Sequence, residues 1–198
     1  MERLAMHFDP GAVIRYSWLA FLAYWLLSSF RVNRMQRTEP KGQKWLRILA
    51  MAASFWLLYG NDWRFGALNL RILPYRPWIP QLGAALTAIG VAFAIWARYH
   101  LGKYWSASVA LREGHRLIRT GPYARIRHPI YTGMLLAVFG TALAESRYRA
   151  LVAFVIVLLG LAWKAKSEEA LLASQFGAEF EEHRRHTGFL LPRLVERS

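Results

Sequence analysis

The chain has no cysteine. Disulfides, thiolate zinc sites and thiol nucleophiles are therefore excluded, and thiol content says nothing of the compartment. Acid is scarce too: 12 Asp and Glu stand against 26 Lys and Arg, a formal charge of +14 over 198 residues. No Gly-x-Gly-x-x-Gly, no phosphate-binding Gly-Lys loop and no Gly-x-Ser-x-Gly elbow occurs, so those dinucleotide, nucleotide and hydrolase chemistries lack their usual scaffold. Internal repeats and low-complexity linkers are also missing. What is present is apolar: 55% hydrophobic and 15% aromatic residues, with nine tryptophans. A disordered basic tail would be poor in these. The length suits one domain or two.

The apolar residues come in five blocks, at 12–30, 45–60, 78–97, 130–144 and 150–163. A spanning helix needs about 20 mostly apolar residues. The first and third blocks meet that, and the others are shorter. None shows the polar face of a surface helix. The modest mean hydropathy of +0.16 reflects charged loops. The fourth and fifth blocks form a hairpin that turns at residues 145–149, with flanking Arg and Lys snorkelling to the interface. The fold class is all-α, a multi-pass integral membrane protein with about five transmembrane helices. A retained first helix fits better than a signal peptide, since no small-residue cleavage site follows Phe30.

With the N-terminus outside, 19 of the 26 basic residues fall on the inside segments 31–47, 98–127 and 164–198. This is the bias of the positive-inside rule, and it puts the C-terminus in the cytoplasm. The +14 charge therefore reads as topology. No zinc-finger, helix-turn-helix or stacking motif argues for a nucleic-acid partner. The partners expected are the lipid bilayer and a lipophilic or lipidated substrate. Residues 1–97 form an N-terminal region of about three spans, and 98–198 a catalytic region.

Turn formers crowd 61–80, an outside loop. Residues 164–187 read as a helix with Leu171, Leu172, Phe176 and Phe180 on one stripe, ended near Pro192. Unusual residues are densest from Gly114 to Gly133. There Gly121-Pro122 marks a turn, and Pro129 suits the first turn of the fourth helix. That helix start would offer N–H groups to an anion, with His128 and Tyr131 on the same turn. Taken alone, Arg125, Arg127 and His128 also suit a lipid-headgroup loop. A second cluster joins Lys164, Glu168 and Glu169, the first two sharing a helix face. In a soluble protein this would be an ordinary exposed ion pair. At the end of the last span such groups are functional candidates. His183 and His186 are three apart, flanked by Arg184 and Arg185 that repel a cation. They are assigned to a solvated face, and no metal is expected.

Together the two clusters resemble the isoprenylcysteine carboxyl methyltransferase family and its phospholipid methyltransferase relatives. The signature reads Arg127-His128-Pro129-Ile130-Tyr131-Thr132-Gly133, a hairpin, then Glu168-Glu169. His100-Leu101-Gly102, Trp105-Ser106, Gly114-His115-x-Leu117, Phe176-Gly177-x-Glu179 and Leu191-Pro192 extend it over residues 98–193. The resemblance implies an S-adenosyl-L-methionine pocket on the cytoplasmic side. Its cofactor contacts map to His115, Arg116, Leu117, Ile118, Tyr123, His128, Pro129, Ile130, Tyr131 and Glu168. A basic residue facing the methyl acceptor maps to Lys164, where the family usually has Arg. Lys cannot make the same two-pronged contact with a carboxylate. Family tyrosines after Phe-Gly are replaced by Phe180 and His183.

Methyl transfer from a sulfonium is an in-line displacement. A carboxylate acceptor is already ionised and needs only alignment and exclusion of water. Lys164 would hold that carboxylate, and Glu168 the cofactor's amino or ribose groups. An amine acceptor must lose a proton, which gives Glu168 work as a base. The alternatives to an isoprenylcysteine-type O-methyltransferase are a phospholipid N-methyltransferase, an NADPH-dependent membrane reductase and a non-enzymatic protein of the same fold. Sterol reductases carry His-x-Asn-Tyr where this chain has His128-Pro129-Ile130-Tyr131, which favours the methyltransferase.

Overall fold

The computed structural model describes residues 9–29, 35–38, 41–60, 65–102, 110–112 and 117–193. It is helical apart from one short ribbon. The helices are α1 (Pro10–Ser29), α2 (Lys41–Tyr59), α3 (Trp78–Leu101), α4 (Pro129–Glu145), α5 (Tyr148–Phe176) and α6 (Ala178–His186). Strands β1 (Met35–Thr38) and β2 (Ala110–Arg112) pair antiparallel. Each of the five apolar blocks lies on one of α1 to α5, save Phe30, which is outside the described residues, and Gly60, which follows α2. Among the described residues two helices, α3 and α5, are long and apolar enough to cross a membrane, whereas Ile48–Tyr59 and α4 are shorter apolar helices.

The fifth block was expected to be short and followed by a separate helix. Instead α5 runs unbroken for 29 residues. Hydropathy falls after Trp163, but the Lys, Ala, Glu and Leu residues beyond it are good helix formers. At about 1.5 Å per residue, Glu168 lies about 30 Å from the start of α5, the thickness of a bilayer's hydrocarbon core. Gly177, with φ +48°, ends the helix and starts α6. The hairpin turn falls where expected, with Ser146 at φ 50° between α4 and α5.

Helices α3 and α4 pack on small residues. Thr87 is fully buried between them, its Oγ1 3.2 Å from both Ala137 O and Thr141 Oγ1. The backbones approach closely at Gly90, where a Cβ would stand 2.6 Å from Gly133 O. A second close approach lies at Gly140, where a Cβ would stand 2.6 Å from Gly83 O. Only glycine tolerates such approach. Helix α1 leans on this pair: Phe21 packs with Val91, Ala94 and Ala137, and Trp18 Nε1 donates to Thr141 Oγ1 at 3.1 Å. Helix α2 brings Leu57 and Leu58 into the core with Ala150, Ala153 and Val157 of α5.

The bundle has two distinct ends. At one, β1 follows α1 and β2 follows α3, and their pairing ties the two loops together. There the buried Arg98 donates to Gly102 O and, across to α1, to Ser28 O. At the other, Ile72 N donates to Ser146 O and Tyr148 N to Leu70 O, joining the loop before α3 to the hairpin. The buried Arg149 donates there to Leu57 O and Leu58 O, the last carbonyls of α2, and to Glu145. These bonds satisfy helix-end carbonyls that would otherwise lack partners.

Candidate active site

Helix α4 begins at the first of these ends. His128 is its N-cap and Pro129 its first residue, where a missing N–H costs nothing. The His128 side chain makes no cap bond. Its ring turns to α5 and stacks nearly flat on Tyr131, centroids 5.5 Å apart and planes 5° apart. Three residues along a helix bring the two rings to one face.

Helix α5 supplies the charged groups that meet them. Tyr131 Oη donates to Glu168 Oε1 at 2.7 Å, and His128 Nδ1 lies 3.8 Å from Glu168 Oε2. Lys164 Nζ sits one turn earlier, 3.6 Å from Glu168 Oε1 and 5.3 Å from the Tyr131 ring centroid. Glu169 faces the other side of His128, with Oε1 3.3 Å from Nε2, and is paired with Arg127. The Lys164 side chain is only 11% exposed and that of His128 6%. Hydrogen bonds to a charged partner in such half-dry surroundings are worth about 1.5–3 kcal/mol each.

A C-terminal strap closes this cluster. Arg127 N donates to Gly188 O, His128 N to Phe189 O and Gly188 N to Arg125 O. Thr132 Oγ1 donates to Leu190 O, and Phe189 meets the His128 ring edge-on at 5.2 Å. The Arg127 guanidinium also donates to Thr187 O and Arg184 O and lies over Phe189. One side chain thus links the strap, α6 and Glu169.

Tyr123 approaches from the short 3-10 turn Gly121–Ala124. It is buried, and its ring stacks on His100, whose Nε2 lies 2.8 Å from Thr120 Oγ1. Gly121, at φ +58°, passes over the His100 ring, where a Cβ would come within 2.7 Å. Burial pushes the Tyr123 phenol's pKa up and nearby Glu168 adds to this, against a smaller opposing effect of Arg98. The phenol stays protonated at neutral pH.

The expected residues His128, Pro129, Tyr131, Lys164 and Glu168 are thus together, with Tyr123 beside them. The Ile130 side chain is packed in the apolar core with Ala97 and Leu161. Leu117 and Ile118 are half-buried on the stretch that leads to the turn. His115 and Arg116 lie outside the described residues, as do Trp105 and Ser106. Thr187 and Phe189 belong to the cluster but were missing from the expected residues. Arg127 and Glu169 were named within the signature and given no role of their own; the strap carried no signal beyond Leu191-Pro192. One expectation is corrected: His183 is buried at 7% exposure, not solvated. Together with Phe180 it makes the inward stripe of α6, continued by the buried Thr187 just after the helix, while His186 does face solvent, 2.9 Å from Glu182. Among the described residues no group of three or more His, Asp and Glu is arranged to hold a metal ion.

Comparison with known proteins bears on the same stretch. The model of the isoprenylcysteine carboxyl methyltransferase family matches residues 83–174. The cobalt-zinc-cadmium resistance protein of Cupriavidus metallidurans is 34% identical over 121 residues, 59% of this chain and 52% of that protein. Protein-S-isoprenylcysteine O-methyltransferase of Schizosaccharomyces pombe is 33% identical over 96 residues, 45% of this chain and 39% of that protein. The chain spans about half the length, or less, of these relatives. The solved structure of a eukaryotic intramembrane Ras methyltransferase superposes with a TM-score of 0.57, at 21% identity, over 73% of this chain and 51% of that one, and so shares the fold. The stretch that holds His128, Tyr131, Lys164 and Glu168 is the stretch the family model covers, so this part of the chain is similar to the isoprenylcysteine carboxyl methyltransferase family.

Proposed function

We propose that the protein is an S-adenosyl-L-methionine-dependent methyltransferase acting on a lipophilic or lipidated acceptor presented from within the bilayer. The observation that carries this reading is the cluster of His128, Tyr131, Lys164, Glu168 and Glu169, assembled about 30 Å along α5 where a span would meet water. The donor set suits the cofactor. Two carboxylates would accept from its amino and ribose groups, and the stacked His128 and Tyr131 rings offer π-faces to a sulfonium. When bound, the cofactor supplies a methyl group on sulfur.

The chain's own residues align and dry the site. Tyr131 fixes Glu168 through its phenol, and Arg127 fixes Glu169 while drawing the strap over His128. Lys164 is the cation nearest the cluster's hub and would orient an acceptor carboxylate. Transfer to an amine headgroup is a second reading, favoured by the partly exposed Glu168 carboxylate, 24% accessible, which could take the amine's proton. The two ends of the bundle support a multi-pass arrangement with the site cytoplasmic, since the loops rich in Lys and Arg gather at the site's end. We place five spans in it, the N-terminus outside and the C-terminus in the cytoplasm.

The test is ligand-induced stabilisation of the purified full-length protein. S-adenosylhomocysteine at about 100 times its Kd should add about 2.7 kcal/mol, and NADPH nothing. Tyr131→Phe should weaken S-adenosylhomocysteine about 10-fold or more without loss of fold. Stabilisation by NADPH alone, or unchanged affinity in Tyr131→Phe, refutes the assignment. Labelled S-adenosyl-L-methionine offered with prenylcysteine or phosphatidylethanolamine then separates the acceptors, because a methyl ester is cleaved by base and an N-methyl group is not.

A further inference from the structure

The loop before α3 exposes apolar side chains that the fold does not use. Leu68, Leu70, Ile72, Leu73, Tyr75 and Trp78 are 38–65% exposed, although none but Trp78 is on a helix able to span. Leu70 and Ile72 flank Arg71 where the chain runs on from the 3-10 turn Gly66–Asn69, and Leu70 and Ile72 are both exposed. The only charges from 65 to 78 are Arg71 and Arg76, with no acidic residue. The Arg71 guanidinium lies 5.5 Å from the Tyr75 ring centroid.

The segment is held firmly. Arg147 Nη1 donates to Asn69 O at 2.8 Å, Arg149 Nε to Asn69 Oδ1 at 3.2 Å, and Ile72 N to Ser146 O at 2.8 Å. These bonds turn its polar backbone to the α4–α5 hairpin and leave its apolar side chains exposed. In water they would form a large exposed patch, which soluble surfaces avoid. Helix α3 starts directly at Trp78 and spans about 36 Å, so the preceding loop sits at the boundary of a core about 30 Å thick. Aromatic rings and Arg favour that boundary, where apolar parts reach the acyl chains and guanidinium groups meet phosphates.

We infer that residues 66–78 lie in the lipid headgroup layer of the leaflet away from the candidate site and anchor the bundle there. This rests on the reading of the chain as membrane-spanning. The absence of cysteine permits a direct test. Leu70→Cys, Leu73→Cys and Tyr75→Cys are each spin-labelled in the full chain, reconstituted in vesicles of phosphatidylcholine and phosphatidylglycerol. The ratio of collisions with oxygen to collisions with a water-soluble nickel complex should be several-fold higher at these sites than at Arg185→Cys on α6. Equal ratios overturn the anchor. Dipolar broadening at the loop sites also overturns it, because a second copy of the chain then covers the patch. A label at Leu159→Cys, exposed midway along α5, reads the spanning itself. A high ratio there with low ratios in the loop defeats only the anchor; a low ratio there defeats the membrane-spanning reading as well.

Discussion

Replacing Gly90 by Ala tests how the site is held. A Cβ at this position would stand 2.6 Å from Gly133 O, and at least one nearer neighbour, Ala137 N, is also backbone. No rotamer change relieves such contacts, so α3 and α4 must separate. Overpacking of this kind costs about 1–3 kcal/mol, and a part of the seam's Thr87–Thr141 hydrogen bond, about 1 kcal/mol, is lost with it. The better helix propensity of Ala returns about 1 kcal/mol. The net loss is about 1–3 kcal/mol, or a Tm lower by roughly 2–12 °C for a chain of this size. Gly160→Ala is the control: it lies on α5 with nothing within 4 Å, so it should melt at or slightly above the wild-type temperature. Tryptophan fluorescence during heating in detergent reads both. Because α4 carries His128 and Tyr131 at its start, Gly90→Ala should also weaken S-adenosylhomocysteine. A Gly90→Ala protein that melts with Gly160→Ala would refute the close α3–α4 packing.

Two further outcomes follow from the strap and α6. Arg127→Lys keeps the charge but not the fork to Glu169, Thr187 and Arg184; calorimetry should show S-adenosylhomocysteine bound about 10-fold more weakly, with faster proteolysis after residue 187. His183 has its pKa lowered, chiefly by burial and then by the charges of Arg119, Arg127 and His186. The unfolded chain therefore binds more protons between the lowered value and about 6.5, so stability is complete above pH 6.5 and falls as pH drops below it. Denaturant titrations at several pH values should show this loss, and His183→Gln should flatten it.

The apolar blocks made α1 to α5 legible because hydropathy measures what a bilayer or a core will accept. The hairpin turn was legible from its cluster of charges, and the start of α4 from Pro129. Hydropathy does not register where a helix ends, so α5 looked 15 residues shorter than it is and its tail looked like another element. The signature brought His128, Tyr131 and Glu168 into one hypothesis, but it did not say which carboxylate meets which ring. That is set by long-range packing of α4 on α5, since Tyr131 and Glu168 are 37 positions apart. The burial of His183 was hidden for a related reason. Its neighbours along the chain are Arg and Glu, and only the docking of α6 against Arg119 and the strap turns it inward. The β1–β2 ribbon had no signal in strands so short.

The strap also fixes when the site can exist. A ribosome makes Arg98 and His100 first, then the His128 turn, then Glu168 and Glu169, and Gly188 to Leu190 last of these. Backbone bonds from that last piece to Arg127 and His128 complete the enclosure. A nascent chain halted anywhere before it would carry the apolar helices into the membrane with the polar cluster still open to water. Competence to bind a ligand would therefore come only once residues 188–190 have been made, after the helices of the bundle, and a chain ending before Gly188 would keep those helices and lack the closed site.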